Sequence, residues 1–298
     1  MDGHTTVIEA VRGPRLTAAA PSWSDTTYDQ VIRAALATRS DGQAFLIARQ
    51  SARVNADAAT QATREPLRGL LPLTRVLTAR TPARAAPIDI GWRIRLHCAA
   101  AVEARMSGAP VHVMSSAGSG NAGITAVVPI VLLAESIHAD EDTVARSVLL
   151  SHATTSYVKA RLGRVSPLCG CAVAAGAGAA AGMAHLFGCG ATRIPVAAQC
   201  MLANLGGMFC DGAKETCALK VGTAAQEAYI AACYAADRDA DLLPQGILGR
   251  DLDETVAGLA VLAEKAMSSF DSVLISLVQA RADESRESAS PGGDRCFA

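Results

Sequence analysis

The sequence predicts an all-α fold, and three observations carry that expectation. Half of the residues are hydrophobic but only 4% are aromatic, a composition suited to helices packed closely through alanine and glycine. Apolar residues return at helical spacing in one segment after another, as in Val31, Ala34 and Ala35 and again in Phe45, Leu46 and Ala48. Alternating β-branched runs of the kind that build sheets are scarce.

The 298 residues are enough for one large domain or two ordinary ones. Residues 1–26 contain Gly, Pro and Ser with little periodicity and read as a flexible N-terminus. Helical spacing holds from Thr27 to about Leu77. Thr81-Pro82 and Ala86-Pro87 then mark a turn or linker. A helix from about Asp89 to Arg105 stops at Ser107-Gly108-Ala109-Pro110, and a Ser/Gly loop covers residues 111–125. Val127 to His138 reads as a helix begun near Pro129, since proline suits a first turn. Glu141–Leu162, Cys171–Phe187, Pro195–Met208, Ala213–Ala236 and Leu252–Ala282 complete the series. Residues 27–282 thus form one helical domain, and the polar, Gly-rich residues 283–298 read as a disordered tail.

Charge and cysteine usage narrow the class. The net charge is −1, so no basic surface points to nucleic acid. The opening MDGHTTVIEAVRGPR has no apolar run followed by a small-residue cleavage site, unlike a secretory leader. The most apolar stretch, Cys171 to Gly188, is mostly Ala and Gly with His185 inside it, and reads as a buried helix rather than a membrane span. Nine cysteines, an odd number, without a secretion signal point to free thiols in a reducing cytoplasm.

Three segments carry chemistry. In Met114–Thr125, three serines, three glycines and Asn121 stand directly before a helix. Glycines allow close backbone approach, and free N–H groups at a helix start bind anions, so the segment suits a carboxylate or phosphate. It is no P-loop, because no Gly-Lys-Ser/Thr ends it. The second segment, Ser166-Pro167-Leu168-Cys169-Gly170-Cys171, places two thiols beside a helix N-terminus, which helps them ionise. The third runs from Met208 to Lys220 and holds Cys210 and Cys217. On one continuous helix that spacing is a rise of about 10.5 Å, too long for two ligands of one cluster. The chain must bend, and Asp211-Gly212 is a natural turn pair. Two thiolates there and one from residues 169–171 make a three-cysteine site, one short of closing a [4Fe–4S] cluster. Zinc is the competing metal, although Cys-Gly-Cys and Cys-x6-Cys miss its usual spacings. On spacing alone a cluster, zinc and no metal all remain open.

Together these segments resemble the iron–sulfur L-serine dehydratase superfamily, most closely the C-terminal, cluster-binding domain of its L-cysteine desulfidase branch. The resemblance rests on Ser115-Ser116-Ala117-Gly118-Ser119-Gly120-Asn121-Ala122-Gly123-Ile124-Thr125, on Leu150-Ser151-His152, and on Cys210-Asp211-Gly212-Ala213 with Cys217-Ala218-Leu219-Lys220. It runs from about residue 27 to 280. It implies a serine dehydratase alpha-chain-like helical domain that holds a [4Fe–4S] cluster through Cys169, Cys210 and Cys217, with Cys171 as the alternative to Cys169. No pyridoxal phosphate would be needed. The reaction would eliminate hydrogen sulfide or water from a small amino acid such as L-cysteine or L-serine. Ser115, Ser116, Gly118, Ser119, Gly120 and Asn121 would bind the substrate. The desulfidase N-terminal Gly-Cys-Thr-Glu-Pro motif is absent. That departure implies a second chain carrying the module, another base and substrate, or a noncatalytic role in a multi-chain complex or homo-oligomer.

Among single residues, His152 is a candidate proton shuttle, with an ordinary pKa range suited to acid–base work. Lys214 is a candidate for the catalytic set, and it and Lys220 flank the cysteine segment, where either could neutralise an anionic cluster or substrate. Asp211 reads as the cap of a helix beginning near Ala213. His185 reads as a core residue, and Arg93, Arg95 and His97 as surface.

Overall fold

The computed structural model describes residues 25–81, 89–163 and 166–288, the side chains of 282–288 excepted. The expected N-terminal segment to residue 24, most of the expected linker at 81–87, and residues 289–298 lie outside them. Among the described residues there are α-helices and no strand. The helices are α1 (Tyr28–Ala37), α2 (Gln43–Ala62), α3 (Leu67–Leu70), α4 (Pro72–Ala79), α5 (Ile90–Met106) and α6 (Gly120–Ile137). They continue as α7 (Glu141–Leu162), α8 (Val173–Leu186), α9 (Ile194–Leu205), α10 (Cys217–Ala236), α11 (Leu252–Val261) and α12 (Phe270–Ser288). The all-α expectation holds.

Local signals start most of these elements. Thr27 and Gln30 close a capping box on α1. Asp140 and Asp251 cap α7 and α11. α4 has no cap of its own. The buried Glu103 of α5 serves instead, accepting from Leu73 N at 2.7 Å, Thr74 N at 2.8 Å and Thr74 Oγ1 at 2.7 Å, a carboxylate set against a helix N-terminus.

The core is built around α8, which packs against α6, α7, α9 and α10 and is buried from Val173 to Ala184. Its small residues let the neighbours approach. A Cβ on Gly178 would lie 2.2 Å from Thr155 Oγ1 and 2.5 Å from the Ser151 carbonyl oxygen of α7. At that position any side chain is excluded by backbone, not merely by a movable side chain. Asp253 of α11 ties the periphery together, accepting from the Tyr28 backbone N–H and from the Tyr157 hydroxyl.

Several expected boundaries move. The helical run from Thr27 to Leu77 is four helices, interrupted at Gly42 and around Pro66. α6 begins at Gly120 rather than near Pro129, because Ser119 caps it, its Oγ accepting from Ala122 N at 3.3 Å. Pro129 therefore lies inside the helix, where it removes a backbone donor and crowds the preceding turn. Ser151 of α7 answers one carbonyl of that turn, donating to Ala126 O at 2.7 Å. α6 is long and apolar enough to cross a membrane, but 72% of it is buried within the fold. α10 begins at Cys217, not Ala213. Arg93, Arg95 and His97 are partly buried rather than surface residues. Arg93 pairs with Glu135 and Arg95 donates to Gln226. Burial, with Arg93 adding to it, lowers the pKa of His97 to about 4.

Candidate functional site

The cysteine site is assembled by a short backbone zipper. Leu168 and Phe209 form an isolated antiparallel bridge. Cys169 N–H donates to Met208 O at 2.8 Å and Cys210 N–H to Pro167 O at 2.6 Å. These two bonds pair Cys169 with Met208 and Pro167 with Cys210, so the two cysteines stand diagonally across the bridge on one face, although the segments are distant in sequence. The expected bend is present: Gly212 has φ +90°, and the chain turns through 213–216 before α10 starts. Cys217 therefore comes back toward the other thiols, its Sγ lying 3.6 Å from Gly212 O.

Electrostatics tie the thiols together. Cys171 donates to the Cys169 sulfur, which lowers the Cys169 pKa to about 6; the Ala172 and Cys171 N–H groups and Lys220 assist, against the opposing effect of burial. Cys171 is correspondingly pushed up, by Cys169, by burial and by the nearby Cys217. Lys220 stands close enough to Cys169 and Cys210 for both to favour its charge. Its Nζ donates to Phe209 O at 2.9 Å and to Asp211 Oδ1 at 2.5 Å. Lys214 has its own set of oxygens, Asp211 Oδ2 at 2.6 Å, Asp211 O at 3.0 Å and Gly212 O at 3.3 Å. Burial alone would raise Asp211, but Lys214 and Lys220 hold it down at about 2. Asp211 is thus the hub of the turn and does not cap a helix. A third ammonium, Lys159 of α7, rides over Gly170: a Cβ there would lie 2.7 Å from its Nζ.

The Ser/Gly loop has two faces. Ser116 and Ser119 exchange backbone hydrogen bonds of 3.1 and 3.0 Å. Ala117 and Gly118 between them have φ +45° and +82°, the signs required by a tight two-residue hairpin. On one face Ser119 Oγ lies 3.4 Å from Cys171 Sγ, so the loop touches the cysteine site. Beside it Asn121 is held by Arg105, which donates to its Oδ1 at 2.9 Å. The same guanidinium lies against Gly120, where a Cβ would be 2.7 Å from Arg105 Nε. On the other face Ser115, Ser116 and Ala117 join Ser51, Leu149 and His152 around a cleft of about 290 Å³. His152 Nδ1 lies 2.9 Å from Ser116 Oγ and Nε2 lies 3.0 Å from Ser51 Oγ. Burial lowers its pKa to about 4.

The structure thus brings Cys169, Cys171, Cys210, Cys217 and Ser119 together, with Lys220 among them. It places His152, Ser115 and Ser116 on the opposite side of the same turn. Lys214 braces the turn below Asp211. His185 packs on α7 through Ser147, 2.7 Å from its Nδ1. Sequence reasoning passed over Ser51, Asn55, Arg105 and Lys159. The pair Ser51 and Asn55 left a signal: two polar residues one helical turn apart on the buried face of α2.

Among the described residues no three His, Cys, Asp or Glu side chains converge on a point as the ligands of one metal ion would. Thiolates that hold a polynuclear cluster stand apart at its corners. The donors present are soft sulfurs on two separate segments with Lys220 close to them, and the Asp211 carboxylate is engaged by Lys214 and Lys220. That set fits an iron–sulfur cluster better than a hard cation.

No solved structure matches the chain. Among curated relatives, a UPF0597 protein of Nitratidesulfovibrio vulgaris is 45% identical over 196 residues, 66% of this chain and 44% of the relative. UPF0597 proteins of Caldanaerobacter subterraneus and Phocaeicola vulgatus are 43% and 41% identical, over 60% and 61% of this chain and 43% and 42% of their own. The chain spans less than half the length of these relatives. The serine dehydratase alpha chain family matches residues 23–276, nearly the whole helical domain and every segment of the site. The chain belongs to the serine dehydratase alpha chain family.

Proposed function

We propose that this chain carries the cluster-binding part of a [4Fe–4S] lyase that eliminates water or hydrogen sulfide from a small amino acid such as L-serine or L-cysteine. The observation that carries this reading is the backbone zipper that sets Cys169 and Cys210 on one face of the bridge, with the Gly212 bend returning Cys217 toward them under Lys220. Cys169, Cys210 and Cys217 would hold the cluster. Cys169 is favoured over Cys171 because its backbone is fixed at the bridge by the bond to Met208 O, whereas the Cys171 sulfur faces Ser119. With three protein ligands, a bound cluster supplies an open iron as Lewis acid for a leaving hydroxide or thiolate.

The chain's own residues prepare the rest. The N–H groups of Gly120 and Asn121 open α6 without intrahelical acceptors, and Arg105 adds positive charge beside them. Together they suit a substrate carboxylate. Ser119 lies between that end of α6 and Cys171. In the reaction the α-proton passes to a base and the β-hydroxyl or β-thiol leaves. The resulting aminoacrylate tautomerises to an imine, which takes up water to give pyruvate and ammonia. Lys214, engaged by three oxygens, serves this reading as a brace for the turn. The base and the remainder of the site would come from a region such as that by which the longer relatives exceed this chain. A reducing cytoplasm would suit a site built on free thiols.

Anaerobic reconstitution with iron and sulfide tests the reading. Wild type is expected to bind about four irons per chain, the content of one [4Fe–4S] cluster, and C210A none. C171A is expected to retain iron and C169A to lose it. Failure of the wild-type chain to take up iron would defeat the proposal. Pyruvate release from L-serine or L-cysteine, with and without a candidate partner, then reports the chemistry.

A further inference from the structure

The last helix presents an apolar stripe to solvent. In α12, Phe270, Val273, Leu274, Leu277 and Val278 follow the i, i+3, i+4, i+7, i+8 spacing of one helix face. Ser272, Ser276 and Gln279 occupy the opposite face. The stripe starts against the body of the protein. The Phe270 ring lies 5.3 Å from that of Phe209, the residue before Cys210, and Leu274 is half-buried. From there the stripe is open: Val273, Leu277 and Val278 are 55%, 50% and 51% exposed, and Ile275 on its flank is 55% exposed. A surface helix ordinarily turns such a stripe toward a core.

Charge at the two ends of the stripe indicates what fits it. Asp271 borders one end and Arg281 closes the other, both exposed. Ten residues of helix separate them by about 15 Å, so they do not meet within one helix. A second α12 laid antiparallel covers the stripe and joins these charges. With the twofold axis level with Ser276, Leu274 faces the partner's Val278 and Asp271 faces the partner's Arg281, once on each side of the axis. A parallel pair would set Asp271 against Asp271 and Arg281 against Arg281, which like-charge repulsion disfavours.

The size of the surface fits the same occupant. The four open α12 residues and the half-exposed Phe209 leave roughly 400–500 Å² of apolar surface, as much as the largest patch on a typical monomer. Two copies together would bury roughly 800–1,000 Å², the size of a reversible interface and well below that of an obligate one. We propose that this chain forms a reversible twofold dimer through antiparallel pairing of α12. The pairing is independent of the lyase reading. It brings the Arg281 end of the partner's helix beside Phe270 and Phe209, at the edge of the cysteine crossing.

Sedimentation equilibrium in a thiol reductant tests the dimer, across roughly 1–200 µM to bracket the micromolar Kd of interfaces this small. Wild type is expected to pass from monomer to dimer over that range. L277D is expected to stay monomeric with unchanged helicity and Tm, since Leu277 is already half in solvent in the single copy. A wild type that stays monomeric overturns the proposal and leaves the stripe to a different polypeptide. A dimer that persists in L277D overturns it by placing the interface elsewhere. Charge reversal tests the arrangement without touching the apolar stripe, and so does not depend on how L277D folds. D271R and R281D are each expected to weaken the dimer about tenfold, because the twofold axis doubles each repulsion. D271R/R281D is expected to return to within about threefold of wild type. Failure of the double variant to recover overturns the antiparallel pairing.

Discussion

α8 and the cysteine crossing adjoin in the chain and are held in opposite ways. α8 has no side-chain cap and makes its contacts through alanine and glycine, buried on every side. Its position depends on atoms that are absent. The crossing at 167–169 and 208–210 is partly exposed and rests on two backbone hydrogen bonds and the pairing of Asp211 with two lysines. Its position depends on charges and dipoles that are present. The core should therefore fail when matter is added, and the crossing when charge is removed.

The strongest way to break the comparison is Gly178→Ala. The new Cβ would meet Thr155 Oγ1 at 2.2 Å and the Ser151 carbonyl at 2.5 Å, so α7 must move. A loss of about 3 kcal/mol is expected, seen as a fall in Tm of roughly 6–12 °C for a domain of this size. An unchanged Tm would show that α7 and α8 are not in contact as described.

Acid probes the buried histidines that face this core and loop. His97 and His152 are lowered from 6.5 to about 4 by burial. The unfolded chain thus takes up their protons first, and unfolding between those values absorbs about two protons. Stability is complete above pH 6.5 and falls as the pH drops toward 4. Urea unfolding across that range should show this slope, and His152→Asn should remove about half of it. A flat profile would mean that both rings are solvated.

Lys220→Gln tests the crossing directly. Lys220 and Asp211 are 22% and 28% exposed, so a modest loss of about 1 kcal/mol is expected at neutral pH. The Asp211 carboxyl should rise from about 2 toward its ordinary 3.8. Because its folded pKa is depressed, the carboxylate stabilises the fold fully above 3.8 and loses that effect as the pH falls through about 2. Carbon-detected titration of Asp211 in the two proteins reads the shift, and identical curves would remove Lys220 from the turn.

The smallest effect on stability is expected from Cys171→Ala, below about 1 kcal/mol because its sulfur is only partly buried. Its effect on chemistry is larger. Without the Cys171 donor, the Cys169 midpoint should move up from about 6 toward 9, followed by thiolate absorbance in cluster-free protein. A midpoint that stays near 6 would assign the depression to the backbone N–H groups and Lys220 instead.

Much of this was legible in the sequence where the cause is local. The serines and glycines mark the loop before α6, though not the Ser119 cap that starts the helix, and Asp211-Gly212 marks the bend that returns Cys217. Pro129 misled because proline is commonest in a first turn, whereas here the Ser119 cap starts the helix well before it. Asp211 was read as a cap because Asp before a short run of helix formers resembles one. Its two lysine partners come from the turn and from the next helix, a combination that no single spacing reveals.

The sequence by itself determined the helical class, since small apolar residues at helical spacing can bury themselves only by packing helix on helix. It also determined which residues could carry chemistry, because thiols and turn glycines are chemical types read one position at a time. Only the tertiary structure decided that the Cys169 and Cys210 segments cross, that Ser119 turns to Cys171 while Ser116 turns to His152, and that Ser51 and Asn55 stand behind that histidine. The reason is physical: a backbone hydrogen bond between distant segments has the same donor and acceptor whatever the residue, so it leaves no mark in composition or period. Such contacts exist only once the core around α8 has brought the segments within reach.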